Sequence, residues 1–168
     1  TGAALKAAGR RRPLLLATRY TMEQDFYKGH LSAHHGIEAI VPDAEGRTTV
    51  HDIIYSELVH GVVSQASRAR YLAVVEQGAK AGADSVIFGC TEIGMLLSQN
   101  DVALPCFDTT ALHANAAVEF ALPAGDYLFR VAVLPGMAEG QGSDFVHPER
   151  FPDWSERYRD QMRSFGFG

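Results

Sequence analysis

Cysteine is scarce in this chain, with only Cys90 and Cys106 among 168 residues. The two form no CxxC pair and no Cys/His ligand spacing, which argues against a zinc site. With no secretory leader at the start, so few thiols point to a reducing, cytoplasmic setting rather than a disulfide scaffold. No apolar run approaches the ~18 residues that a membrane-crossing helix needs, so no membrane partner is expected. Concentrated positive charge is also missing. The formal net charge is −5, and the single basic cluster, Arg10-Arg11-Arg12, reads as a solvated loop before a strand; a nucleic-acid partner would require a broader basic footprint.

What is present is 46% hydrophobic content, enough for one domain with a core, with or without a tail. The chain starts at Thr1, and Gly2-Ala3-Ala4-Leu5-Lys6-Ala7-Ala8-Gly9 reads as the end of a helix. Residues 1–12 are therefore expected to be the truncated end of a preceding helix and its loop.

Pro13-Leu14-Leu15-Leu16-Ala17 is a continuous apolar run of the kind found in parallel strands buried on both faces. The turn after it, Thr18-Arg19-Tyr20-Thr21, leads to a helix capped by Thr21, with Met22, Phe26, Tyr27 and Leu31 inward and Gly36 as its stop. Ile37-Glu38-Ala39-Ile40-Val41 is the next expected strand, closed by Pro42. Val50, Ile53, Ile54 and Leu58 predict a helix over 48–60 that Gly61 breaks. A second helix over 64–81 carries Tyr71, Leu72, Val74, Val75 and Ala79 and stops at Gly82.

Ser85-Val86-Ile87-Phe88 is then a strand, residues 104–107 another, and a helix with His113 and Val118 follows. Strands alternating with helices predict an α/β fold, a parallel sheet flanked by helices, with the loops after Ala17, Phe88 and Phe107 on one rim. Beyond Pro123 the character changes. A strand at 127–134, a glycine-rich linker at 136–143 and a charged aromatic helix at 153–165 make a tail with no functional reading.

The most informative stretch is Gly89-Cys90-Thr91-Glu92-Ile93, which sets a thiol at the end of a strand and the start of a turn or helix. Free backbone N–H groups and a helix dipole there favour a thiolate, making Cys90 a candidate nucleophile or proton-transfer base. The alternative for any free cysteine after an apolar strand is an inert core residue, the reading given to Cys106. Ligands of parallel sheets gather outside the carboxyl ends of strands. The rim would bring together Thr18 and Thr21, then Cys90, Thr91 and Glu92, then Asp108, Thr109 and Thr110. Their hydroxyls and backbone donors suit a substrate carboxylate, and the competing use for such threonines is helix capping.

Leu16-Ala17-Thr18-Arg19-Tyr20-Thr21-Met22-Glu23-Gln24-Asp25-Phe26-Tyr27, Gly89-Cys90-Thr91-Glu92-Ile93 and Phe107-Asp108-Thr109-Thr110 with His113-Ala114 together resemble the aspartate/glutamate racemase family. The resemblance implies a two-domain α/β fold of which residues 13–122 are the second domain, with a partner acid/base on a first domain absent here. It implies cofactor-independent, two-base proton transfer at the α-carbon of an amino acid. Cys90 would be one acid/base, Thr91, Thr18 and Thr21 donors to the substrate carboxylate, and Glu92 a group that orients the ammonium or tunes the thiol. His60 lies where some relatives place a basic residue, and otherwise reads as an ordinary helix-end histidine. No metal or other cofactor is implied, and the full-length parent is expected to be a homodimer.

Two other readings stand beside this one. The first keeps the superfamily and changes the reaction to hydantoin racemisation or maleate isomerisation. The second is a non-catalytic module that binds small acids.

Overall fold

Two short runs of four residues, Pro13–Leu16 (β1) and Ser85–Phe88 (β2), are buried at every position and pair in parallel, Leu14 opposite Val86 and Leu16 opposite Phe88. A third strand, Cys106–Asp108 (β3), adds to the other edge of β2, also parallel, with Phe88 opposite Asp108. The computed structural model describes residues 1–121, with side chains through Val118. The tail expected from residue 123 onward lies outside the described residues. Among those described, no helix is long and apolar enough to cross a membrane.

Burial on both sides explains why β1 and β2 lack the alternation of a half-exposed strand. The helices that cover them are Gly2–Ala7 (α1), Arg19–Glu23 (α2), Asp25–His35 (α3), Ala44–Ser56 (α4), Gln65–Lys80 (α5), Ile93–Leu96 (α6) and Thr109–Ala121 (α7). Leu5 of α1 is fully buried in the same core as Leu14, Leu16, Ile53, Tyr71 and Ile87. α5 packs on β1 and against α4. A Cβ on Gly78 would lie 2.5 Å from Leu14 Cδ2, so the absence of a side chain sets how closely this helix approaches the strand. Farther along the same helix the buried Tyr71 hydroxyl donates to the Val50 carbonyl at 3.0 Å, tying α5 to α4 without an unpaired polar group.

Several elements differ from the sequence expectation. The run expected as a strand at 37–41 contributes a single parallel bridge, Ile40 to Leu14. Its first N–H, from Ile37, is spent on the Leu31 carbonyl at the end of α3, and Pro42 has no N–H to carry the ladder on. Thr21 does not cap a helix. It lies inside α2, whose N-cap position is Thr18, and Gln24 is extended with ψ 156°, separating α2 from α3. That break resets the helical phase. Met22 and Leu31 remain buried, whereas Phe26, expected inward, is 63% exposed.

α4 starts four residues before the expected 48 because the Asp43 carboxylate accepts from Gly46 N at 2.8 Å. It ends at Ser56, and Leu58–His60 forms a separate 3-10 turn closed by Gly61 at φ 72°. α5 follows its expectation, capped by Ser64, although Ala79 faces solvent. β3 begins only at Cys106, since Pro105 can accept from Val86 N but cannot donate.

Candidate active site

The carboxyl ends of β1 and β2 open on one rim, and the parallel register places Thr18 and Cys90 each two residues beyond the paired Leu16 and Phe88. Gly89 makes this exit possible. Its N–H donates to the Leu16 carbonyl at 2.7 Å, and a Cβ there would come within 3.1 Å of Ala17 Cβ and of that same carbonyl oxygen. The chain therefore passes tightly over the end of β1 before it delivers Cys90.

The half-buried Cys90 thiol donates from Sγ to Glu92 Oε2 at 2.8 Å. Burial first, and then the hydrogen bond and charge of the Glu92 carboxylate, push this thiol up to about 11, against the backbone N–H groups of Glu92 and Thr91, which act in the opposite direction. This corrects the expectation of an acidified thiol. The helix that follows, α6, has only four residues, too few for a strong dipole, so desolvation and the neighbouring anion win. Glu92 is held below the usual carboxylate range, first by the Cys90 hydrogen bond and then by the Thr91 hydroxyl. The resting pair is thus a neutral thiol hydrogen-bonded to a carboxylate.

Thr91 and Glu92 line an open depression of about 350 Å³ together with Leu58, Val59, Gly61 and Met95. Val59 and Met95 are 46% and 50% exposed, giving it an apolar rim. His60 sits between two of the lining residues, but its side chain is exposed and is not part of that lining. Thr18 and Thr21 approach each other, their hydroxyl oxygens 3.4 Å apart, on the neighbouring strand end. On the β3 side the Thr109 hydroxyl is used to cap the Phe88 carbonyl at 2.8 Å, and Asp108 accepts from Thr110 N at 2.8 Å. The Asp108 carboxylate stands over Gly94, where a Cβ would approach it to 3.2 Å.

Glu57 is the residue that sequence reasoning passed over. Its carboxylate accepts from the buried Ser67 hydroxyl at 2.6 and 2.7 Å and from Ser64 at 3.1 Å. Its carbonyl accepts from His60 N and Val62 N, each at 3.0 Å. These bonds fix the Leu58–His60 turn that walls the depression. The available signal was a Glu seven residues before a Ser-x-x-Ser helix start. His51 was also missed; its Nδ1 accepts from Arg19 N at 3.2 Å and ties the rim to α4. Among the described residues no group of three or more His, Cys, Asp or Glu side chains is placed to hold a metal ion.

Residues 1–117 match the family described as Asp/Glu/Hydantoin racemase. The fold is similar to the crystal structure of a Yersinia pestis protein assigned as an Asp/Glu racemase, with a TM-score of 0.70 and 47% identity, covering 73% of this chain and 54% of that one. It is also similar to an aspartate racemase homologue from Pyrococcus horikoshii OT3, with a TM-score of 0.65 and 30% identity over 71% of this chain and 52% of that one. An aspartate racemase from Picrophilus torridus shares the fold at 22% identity, with a TM-score of 0.56 over 71% and 49% of the two chains. The chain thus spans about half the length of these relatives. With the parallel sheet, the strand-end thiol and these matches together, the chain belongs to the Asp/Glu/hydantoin racemase family.

Proposed function

We propose that this chain supplies one side of the active site of a cofactor-independent racemase acting on aspartate or glutamate, with Cys90 as one acid/base. The observation that carries the reading is the Cys90 thiol at a strand end, donating to Glu92 beside an open depression. Two-base racemisation needs one group protonated while its opposite number is not. A thiol raised to about 11 is resident as the acid at neutral pH, ready to protonate the α-carbon. In the reverse direction the same sulfur, left as thiolate after that transfer, removes the proton.

Glu92 keeps the thiol oriented and offers an anion to the substrate ammonium. As the ammonium approaches Glu92, it offsets the charge that opposes thiolate formation. Thr91, with Thr18 and Thr21 across the strand ends, gives hydroxyl donors for the α-carboxylate, where negative charge accumulates in the transition state. The second acid/base is supplied from outside this segment, and the working parent is a cytoplasmic homodimer.

A second reading, hydantoin racemisation, is supported by the breadth of the matched family. Proton NMR in D2O separates the two. A protein that carries this segment at the length of its relatives is expected to exchange the α-proton of both enantiomers of aspartate or glutamate, while the 168-residue chain gives no turnover. Exchange confined to a 5-substituted hydantoin establishes the second reading. No exchange with either substrate class overturns both.

A further inference from the structure

At the opposite end of the sheet from Cys90, before β1 begins, the chain makes two left-handed turns close together, at Gly9 (φ 69°) after α1 and at Gly36 (φ 65°) after α3. Between them lies a small cavity of about 40 Å³ lined by Lys6, Arg10, Arg11 and His35 with the two glycines. A water needs roughly 10–15 Å³ on this measure, so the space admits one tetrahedral oxyanion. Arg10 Nε is buried there with no hydrogen-bond partner. Among the described residues none of Lys6, Arg10 and Arg11 forms a salt bridge.

Asp84, the carboxylate that feels the charge of Arg10, is already committed. Its oxygens accept from Arg11 N at 2.7 Å, Arg12 N at 3.0 Å and the Ser85 hydroxyl at 2.7 Å. Four carbonyls near the ends of the two helices are occupied as well. Arg10 N donates to Leu5 O at 2.9 Å, Gly9 N to Lys6 O at 3.1 Å, Gly36 N to Ser32 O at 3.0 Å and Ile37 N to Leu31 O at 3.2 Å. Lys6, Arg10 and Arg11 therefore line one small space beside a carboxylate that is already committed, and a buried guanidinium N–H without a partner is a costly state.

We infer that this cavity is a binding site for a small oxyanion, either free inorganic phosphate or the terminal phosphoryl group of a nucleotide, held by Arg10 Nε with Lys6 and Arg11. Charge-assisted bonds from a guanidinium to phosphate are the strong kind that such a site would use. His35 supports the same picture. It is held below the ordinary imidazole range, by desolvation first and then by His30, His34, the N terminus and Lys6, which marks a locally positive field.

The site lies away from the rim that carries Cys90, so its test does not depend on racemisation. Inorganic phosphate is titrated into the full 168-residue chain and the melting temperature followed, with a saturable rise of several degrees expected. Arg10→Gln is expected to move half-saturation upward by about tenfold. Lys6→Gln, on an exposed helix position that leaves folding intact, is expected to weaken it severalfold. Half-saturation by ADP below that of phosphate assigns the site to a nucleotide phosphoryl group, and the reverse order assigns it to free phosphate. An unsaturating rise of the same size in all three proteins is a general salting effect and overturns the proposal, as does the absence of any rise.

Discussion

The two thiols of this molecule, one just past the end of β2 and one in the neighbouring β3, share one property, yet their surroundings give them different chemistry. Desolvation first, and a neighbouring carboxylate second (Glu92 for Cys90, Asp101 for Cys106), push both thiols up to about 11. Cys106 lies inside the ladder of β3, and its sulfur donates to the Leu104 carbonyl at 3.5 Å, an acceptor that cannot take a proton away. Cys90 lies past the end of β2 and donates to a carboxylate that itself borders an open depression. Burial alone therefore does not distinguish a working thiol from a packed one. The distinction is an ionisable partner and access to the rim.

The comparison breaks most sharply on activity. In a protein extended to the length of the relatives, Cys90→Ala is expected to lower α-proton exchange by roughly 10²–10⁴-fold in both directions, while Cys106→Ala leaves it within a few-fold. Equal losses from both variants would mean that packing of the sheet, not proton transfer, is being measured. A smaller effect is expected from Glu92→Gln. Removing the anion beside Cys90 raises its thiolate fraction at pH 8 by roughly tenfold, the effect of one pKa unit, and leaves Cys106 unchanged. Alkylation rate against pH, resolved by peptide mass, reads the two sulfurs separately.

The smallest effect is on stability. A thiol whose pKa is raised by folding keeps its proton longer in the native state. Stability is complete below the unfolded value of about 8.5 and is lost as pH rises toward about 11. The buried Tyr71, also shifted upward, adds to the loss in the more alkaline part of that window. Urea midpoints at pH 7 and pH 9.5 should therefore fall less between the two conditions in Cys90→Ser or Cys106→Ser than in the parent, and least in the double variant.

The strands at 13–16 and 85–88, the long α5 and the glycine stops were legible because each rests on local pattern: unbroken apolar runs, helical spacing and a left-handed stop at Gly36 or Gly61. The placement of Cys90 at a strand end was legible for the same reason. Its proton affinity was not, because that depends on how deeply the sulfur is covered and on where the Glu92 side chain turns. Position in the sequence fixes neither. The break at Gln24 and the exposure of Phe26 escaped for a related reason: periodicity across 21–35 suits one helix or two, and only tertiary packing chooses. Glu57 joins residues up to ten positions apart across a turn, a pairing that no helix or strand period announces.

Helix α5 carries both ends of this relation on one rigid rod. Its C-terminal half is seated on β1 through the missing side chain of Gly78, and its N-terminal end grips the wall of the depression through Ser64 and Ser67 on Glu57. A methyl group at 78 would lift the rod where it meets Leu14 and carry the tilt, about four helical turns away, to the mouth of the depression. The depth of a surface hollow is in this way gauged by a glycine in the core, and substitutions made there for stability would be felt first as a change in which side chains the hollow admits.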